Sequence, residues 1–130
     1  MSERIALEVP ASLGALSIVR MVLGGLGARL DFSLEELDDL YLAADRLLQA
    51  ALETEELESI TLRIVVGDGA LRVSAGAFRS ERLRARVGLT PGGCLDLCTL
   101  LRGLLDEVAV EDGEQSYSVV MVKRGTGGQQ

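Results

Sequence analysis

Alternating apolar and polar residues predict β-strands, because successive side chains of a strand point to opposite faces of a sheet. The predicted strands cover residues 4–9, 59–66, 71–75, 108–111 and 116–123. A Gly-Asp-Gly turn at 67–69 joins the second strand to the third, and Asp112-Gly113 joins the last two. The pattern therefore predicts one strand at the start of the chain and two β-hairpins.

Apolar residues spaced three and four apart predict helices at 12–30, at 33–52 and from Thr90-Pro91 onward. Ser12 is the predicted N-cap of the first helix, and Ser33 with Glu36 forms a predicted capping box for the second. The second helix is the central element of the predicted core. Its apolar face consists of Leu40, Ala44, Leu47, Leu48 and Ala51.

The resulting order is β-α-α-β-β-α-β-β, which predicts an α+β two-layer sandwich. We expect a mixed but mostly antiparallel sheet, with the helices packed on one of its faces. Residues 1–124 form a single predicted domain, and the polar, glycine-rich residues 125–130 are a predicted disordered tail.

Composition narrows the classes of function. The chain has 130 residues, of which 48% are hydrophobic, and a net charge of −7. A general nucleic-acid binder needs a basic face, so the acidic balance argues against one and fits a soluble protein with a protein or nucleotide partner. We find no apolar run long enough to span a membrane and no signal peptide, and we expect a cytoplasmic protein.

The sequence lacks histidine, which removes the commonest general base and transition-metal ligand. The two cysteines, Cys94 and Cys98, are four residues apart in a predicted helix, where neither a disulfide nor a complete zinc site is expected. The only basic cluster is the segment 78–89, which contains four arginines. It is interpreted as a solvated loop or short helix, with an anion-contacting lid as the alternative.

One charged pair, Asp45 and Arg46, interrupts the apolar middle of the second helix. Most core-facing helices place their charges on the outer stripe. The pair therefore either lies at the solvent edge of the helix or belongs to a functional site.

Four stretches together resemble a known family: 9–20, 40–45, 71–78 and 92–110. In order and spacing, the chain resembles anti-sigma factors of the serine-kinase type, within the GHKL superfamily of ATPases. The resemblance implies the histidine-kinase-like ATPase fold, with ATP and Mg²⁺ as cofactors. It also implies protein partners, either a sigma factor or an anti-sigma antagonist, and a homodimer.

The family's catalytic pattern is only partly present. Its N-box supplies a glutamate as general base and, four residues later, an asparagine that holds Mg²⁺; these positions fall on Arg46 and Ala50. Guanidinium cannot act as a base at neutral pH, and a methyl group cannot ligate a metal. The adenine-binding aspartate falls on Ser74, and its motif's glycine is kept as Gly76.

Two features leave nucleotide binding open. Gly92 and Gly93, at a predicted helix start, match part of the family's later glycine motif and could present N–H groups to a phosphate. A register shifted by one residue would instead place Asp45 at the base position and Gln49 at the metal position. Both replacements would be conservative.

The sequence thus supports three hypotheses. The first is a bacterial anti-sigma-factor-like regulator that binds proteins and has a degenerate ATP site, with no cofactor and no metal expected. The second is an ATP-dependent serine-protein kinase that uses the shifted register. The third is a metal-independent nucleotide binder, in which Arg46 and the arginines of 79–86 neutralise phosphate.

The first helix contains the candidate partner-binding residue, Arg20, because the family contacts its partners with this helix. Gly24 and Gly25 follow on the same helix and would permit the close approach of a second copy.

Overall fold

A computed structural model describes residues 3–88 and 97–126 of the chain. The strands are β1 Glu3–Pro10, β2 Ser59–Gly67, β3 Ala70–Phe78, β4 Glu107–Asp112 and β5 Tyr117–Arg124. The helices are α1 Leu16–Arg29, α2 Leu34–Thr54, α3 Glu81–Val87 and α4 Leu97–Leu104, and a 3₁₀ turn at Leu13–Ala15 precedes α1. The order matches the prediction except for the short helix α3, which lies within the basic segment.

The five strands form one sheet in the order β1-β2-β3-β5-β4, and all four neighbouring pairs are antiparallel. The β2–β3 hairpin turns at Asp68 and Gly69, both of which have positive φ angles, 54° and 72°. Two successive positive φ angles define the type I′ turn, whose twist matches that of paired strands. Both predicted hairpins are therefore confirmed.

The sheet has one covered face and one open face. In β3, Leu71, Val73 and Ala75 are buried, whereas Arg72 and Ser74 between them are not. The buried side belongs to the same apolar cluster as the core residues of α1, α2 and α4. The predicted α+β two-layer sandwich, with helices on one face of a mainly antiparallel sheet, is confirmed.

Helix α2 begins with the predicted capping box. The N–H of Glu36 donates to Oγ of Ser33 at 3.0 Å, and the N–H of Ser33 donates to Oε1 of Glu36 at 2.7 Å. The five predicted apolar residues of this helix are at most 3% exposed. Among the described residues, no helix combines the length and apolar character needed to cross a membrane.

The predicted start of the first helix is wrong. Ser12 has an extended backbone, and its side chain accepts no capping hydrogen bond. A 3₁₀ turn intervenes, so α1 begins four residues later, at Leu16. Leu13, an apolar residue within the predicted helix, is 66% exposed on this turn.

Two residues of the predicted tail are bonded to the folded domain. The N–H of Gly125 donates to the carbonyl oxygen of Gly69, and both the N–H and the hydroxyl of Thr126 donate to Oε2 of Glu36. The other tail residues, 127–130, lie outside the described residues, as do Gly92, Gly93 and the predicted helix start at Thr90-Pro91.

Candidate functional site

A cavity of about 160 Å³ lies between α2, α3 and α4. It is lined by Arg46, Gln49, Ala50, Glu53, Arg86, Leu97 and Leu100. The four residues from α2 are spaced three, four and seven apart, which places them on one face of the helix. Arg46 and Ala50 of one N-box register, and Gln49 of the alternative register, therefore line the same cavity.

Cationic groups predominate among the described polar side chains of this cavity. Arg46 is exposed, and it has no ion-pair partner among the described residues. Arg86 is paired with Glu53 at 3.2 Å, and Ala50 is only 2% exposed. Among the described residues, the polar lining therefore consists of two guanidinium groups, one amide and one carboxylate that is already paired.

Asp45 faces a different element. Its Oδ2 accepts hydrogen bonds from Nη2 of Arg20 at 2.5 Å and from Nε at 3.2 Å, and its side chain is 13% exposed. The hydrogen bond with Asp45 raises the pKa of the Arg20 guanidinium. Successive residues of an α-helix differ by about 100° in direction, so Asp45 points toward α1 while Arg46 points toward the cavity. The structure does not bring Asp45 together with Gln49 in this cavity.

Ser74 and Gly76 lie on the open face of the sheet. Ser74 alternates with the buried residues Val73 and Ala75, so its side chain points away from the helices. Both Ser74 and Gly76 line another cavity, together with residues of β2 and β5. Ser74 and Gly76 therefore lie on the other side of the sheet from the N-box residues, and the structure does not bring the two groups together in one cavity.

The basic segment forms α3, and two of its arginines are ion-paired. Arg84 is bonded to both carboxylate oxygens of Asp112, which lowers the pKa of that carboxyl group, and its guanidinium lies 5.4 Å from the centroid of the Tyr117 ring. Leu83 and Val87 anchor the helix in the core. The interpretation of this segment as a short helix is confirmed, and its contact with an anion stays a prediction.

Tyr117 fixes the start of α3. Its hydroxyl donates to the carbonyl oxygen of Ser80 at 2.5 Å, and its ring centroid lies 6.0 Å from that of Phe78. Burial, with Glu55 and Glu81 nearby, raises the pKa of Tyr117 to about 12. Because α3 carries Arg86, Tyr117 also helps to position one wall of the cavity. The sequence offered no local signal for this contact, which joins residues 37 positions apart.

A second feature lies on the outer surface of α1. Ile18 and Met21 are 42% and 72% exposed, and the side chain of Arg20 on the same helix is 53% exposed. The guanidinium of Arg20 is held by Asp45 and lies 5.6 Å from the centroid of the Tyr41 ring. We call Ile18, Arg20 and Met21 the α1 surface.

The glycines of α1 have different surroundings. A methyl group at Gly24 would collide with the hydroxyl of Tyr41, so the close approach at Gly24 is made within the chain. A methyl group at Gly25 would meet no atom within 4 Å. Gly24 therefore serves the packing of α1 on α2 and does not need a second copy to explain it. Tyr41 was not singled out from the sequence.

The acidic side chains of the described residues are dispersed rather than grouped around one point. Within residues 3–88 and 97–126, no group of three or more acidic or cysteine side chains is placed to hold a metal ion. Cys98 is buried, and its Sγ accepts a hydrogen bond from Nε of Arg102 at 3.3 Å.

Comparisons with known proteins bear on the fold. No protein-family model matches the chain, and no curated protein matches its sequence. The chain is similar to the crystal structure of the RsbU and RsbW domains of Rv1364c from Mycobacterium tuberculosis, with a TM-score of 0.69 and 19% sequence identity. The match covers 95% of this chain and 32% of the matched chain. This protein therefore spans about a third of the length of the matched chain. The chain therefore shares its α+β fold with part of that protein.

Proposed function

We propose that this chain is an anti-sigma-factor-like regulator that acts by binding another protein, in the bacterial cytoplasm. The resemblance of the sequence and the likeness to a chain containing an RsbW domain agree on one fold. Large apolar side chains exposed beside a fixed charge are typical of protein-binding surfaces, and the α1 surface has this character.

A degenerate ATP site is part of the proposal. Mg²⁺ prefers hard oxygen ligands, whereas the family's metal position is occupied by the buried methyl group of Ala50. A general base must accept a proton, whereas the base position is occupied by Arg46. The side chains in the cavity do not fit Mg²⁺ and ATP, and no catalytic step is assigned to this protein.

The observation that carries the proposal is the ion pair between Asp45 and Arg20. The kinase hypothesis needs Asp45 as the base, with Gln49 as the metal ligand one helical turn away. Asp45 instead bonds the guanidinium of α1, and Gln49 lines the cavity. The same ion pair holds Arg20 in place on the α1 surface, which favours a role in binding over a role in catalysis.

The test uses transcription. Purified protein is added to RNA polymerase with each sigma factor of its own cell, and we expect it to inhibit transcription by one of them. Met21→Asp places a charge on the α1 surface and should abolish inhibition, whereas Arg82→Gln, which changes an exposed arginine of α3, should leave it intact. Equal inhibition by both variants would contradict the α1 surface as the binding site.

Calorimetry tests the degenerate site. We expect no binding of ATP with Mg²⁺ in the micromolar range, and clear micromolar affinity would overturn this part of the proposal. The homodimer implied by the resemblance stays a further proposal, and sedimentation equilibrium of the purified protein tests it.

A second candidate function is metal-independent nucleotide binding. It is favoured by one observation: Arg46 lines the cavity and has no ion-pair partner among the described residues. An unpaired guanidinium can bind phosphate oxygens in place of a metal ion. This candidate predicts nucleotide affinity that is unchanged by EDTA and lost in Arg46→Gln. Affinity that requires a metal would exclude it.

A further inference from the structure

The open face of the sheet contains a polar cavity of about 340 Å³. It is lined by Thr61 and Arg63 of β2, Ser74, Gly76 and Ala77 of β3, and Ser118 of β5. The strand register places Thr61 opposite Gly76 and Arg63 opposite Ser74. Side chains from three neighbouring strands therefore surround one point on this face.

Gly76 keeps the middle of this cavity open. A methyl group at this position would lie 2.7 Å from Oγ of Ser118 and 3.0 Å from the carbonyl oxygen of Tyr117, both closer than ordinary contact. Any side chain at this position would therefore fill the space beside the Ser118 hydroxyl. The glycine leaves a notch whose walls carry the hydroxyl groups of Thr61, Ser74 and Ser118.

The polar groups of the notch are not used by the fold. Within the described residues, the three hydroxyl groups and the guanidinium of Arg63 make no hydrogen bond or ion pair. A guanidinium supplies five N–H donors and each hydroxyl supplies one, so this cluster offers many donors to a ligand.

Two carboxylates lie opposite residues of the notch on the neighbouring strands, and neither is paired with Arg63. Glu8, opposite Thr61, accepts a hydrogen bond from the hydroxyl of Ser59 at 2.8 Å. Glu111, opposite Ser118, is paired with Arg72 at 2.8 Å. The charge of Arg63 is therefore not offset by an acidic partner among the described residues, although the chain as a whole is strongly acidic.

A neighbouring cavity adds a second arginine to the surroundings of the notch. It has a volume of about 320 Å³, shares Arg63 and Ser74 with the notch, and adds Arg4 of β1. Arg4 also has no ion-pair partner in the described part of the chain. Two unpaired guanidinium groups thus lie on the same face of adjacent strands.

We propose that this notch binds a phosphoryl group. A phosphate presents several oxygens that only accept hydrogen bonds, and it carries about two negative charges at neutral pH. Neighbouring strands are about 4.8 Å apart, so a tetrahedral anion above Gly76 can accept from donors on β2, β3 and β5 together. Hydrogen bonds to a charged acceptor are the strong ones, and the site supplies a guanidinium for this purpose.

The site is separate from the cavity that contains Arg46, because the two lie on opposite sides of the sheet. A phosphoryl-binding site explains why Ser74 and Gly76 line one cavity on the open face although neither belongs to the core. The proposal does not depend on the function proposed above.

The experiment follows backbone amide signals by NMR while inorganic phosphate replaces chloride at constant ionic strength. We expect saturable shifts at residues 61, 63, 74, 76 and 118. Arg63→Gln should weaken the affinity about tenfold, because it removes a charge-assisted hydrogen bond, and Ser118→Ala should weaken it about threefold. Arg82→Gln is the matched control, since it removes one exposed arginine of α3, and it should leave the affinity unchanged.

Two results would overturn the proposal. One is the lack of saturable shifts around Gly76. The other is an equal loss of affinity in Arg82→Gln and Arg63→Gln, which would indicate a general charge effect. If Arg63→Gln lowers the stability of the protein, Thr61→Val can be used in its place. This variant removes one hydroxyl donor and preserves the size of the side chain. A parallel titration with O-phosphoserine distinguishes a phosphorylated side chain from free phosphate as the natural ligand. Tighter binding of O-phosphoserine than of inorganic phosphate indicates a phosphorylated side chain, and equal binding indicates the free anion.

Discussion

Raising the pH should destabilise this protein through Tyr117. The side chain is 4% exposed, and its hydroxyl donates to the carbonyl oxygen of Ser80. Ionisation would place a phenolate in a buried site and remove that donor, and accordingly the pKa is raised from 10.0 to about 12. A raised pKa in the folded state contributes stability that is complete below pH 10 and is lost as the pH rises toward 12.

The size of the effect follows from the two pKa values. With 10.0 for the unfolded chain and about 12 for the folded protein, the free energy of unfolding should fall by about 1.4 kcal/mol between pH 8 and pH 11. Tyr117→Phe removes the titrating group and should show no such fall. At pH 8 this variant should instead be less stable by about 1 kcal/mol, because the Ser80 carbonyl group loses its partner.

Urea unfolding at a series of pH values measures this prediction. The useful quantity is the difference in free energy of unfolding between the wild type and Tyr117→Phe, because other titrating groups are common to both proteins. At pH 8 the wild type should be more stable than the variant by about 1 kcal/mol. This advantage should fall by about 1.4 kcal/mol between pH 8 and pH 11, so the variant should become the more stable protein near pH 11. A difference that stays constant within about 0.3 kcal/mol would show that Tyr117 is not buried against Ser80.

Three further predictions concern stability. Ser33→Ala removes one half of the capping box of α2 and should lower the free energy of unfolding by about 1 kcal/mol in urea titrations, whereas Ser33→Thr should retain most of it. Leu47→Ala should cost about 2–5 kcal/mol by the same measurement because Leu47 is fully buried, and Leu42→Ala, 37% exposed, should cost much less. Hydrogen bonds from Ser33 and Thr126 lower the pKa of Glu36 below 4.5. The stability that they contribute is therefore present above pH 4.5 and is lost as the pH falls below it. Glu36→Gln should flatten this dependence on acid in thermal unfolding.

The elements of the fold could be predicted because each is coded locally. The alternation in β2 and β3, the positive φ turn between them and the capping box of α2 all depend on residues close in sequence. The start of α1 could not be predicted in this way, because Ser12 is as good a capping residue as Ser33. What differs is that Ser12 follows Pro10 in an extended segment leading to a 3₁₀ turn.

The candidate site was harder to predict, because direction matters as well as spacing. Matching a motif along the chain placed Ser74 at an adenine-binding position. Side chains of a strand alternate between faces, so a shift of one residue moves the group to the other side of the sheet. Val73 and Ala75 point toward the helices, and Ser74 does not. Spacing alone cannot reveal this without the register of the whole sheet.

Contacts between distant elements were also beyond the sequence. The hydroxyl of Tyr41 fills the space at Gly24, and the carbonyl oxygen of Ser80 receives the hydrogen bond of Tyr117. Each pair is brought together by the packing of two elements, and neither residue carries a local sign of its partner. The first contact fixes the packing of α1 and therefore the α1 surface. The second fixes the position of α3, which forms one wall of the cavity lined by Arg46.

Asp45 and Arg46 are adjacent in sequence but belong to different surfaces, and this constrains the partner. A partner that binds Arg20 through a carboxylate competes with Asp45, whose side chain is only 13% exposed. Asp45 would then lose its counter-charge in a poorly solvated position, which is unfavourable. The contact is more favourable if the partner leaves the ion pair intact and adds apolar contact with Ile18 and Met21. We therefore expect the affinity of the partner to depend more on Met21 than on the charge of Arg20, and Met21→Ala to weaken binding more than Arg20→Gln in the transcription assay.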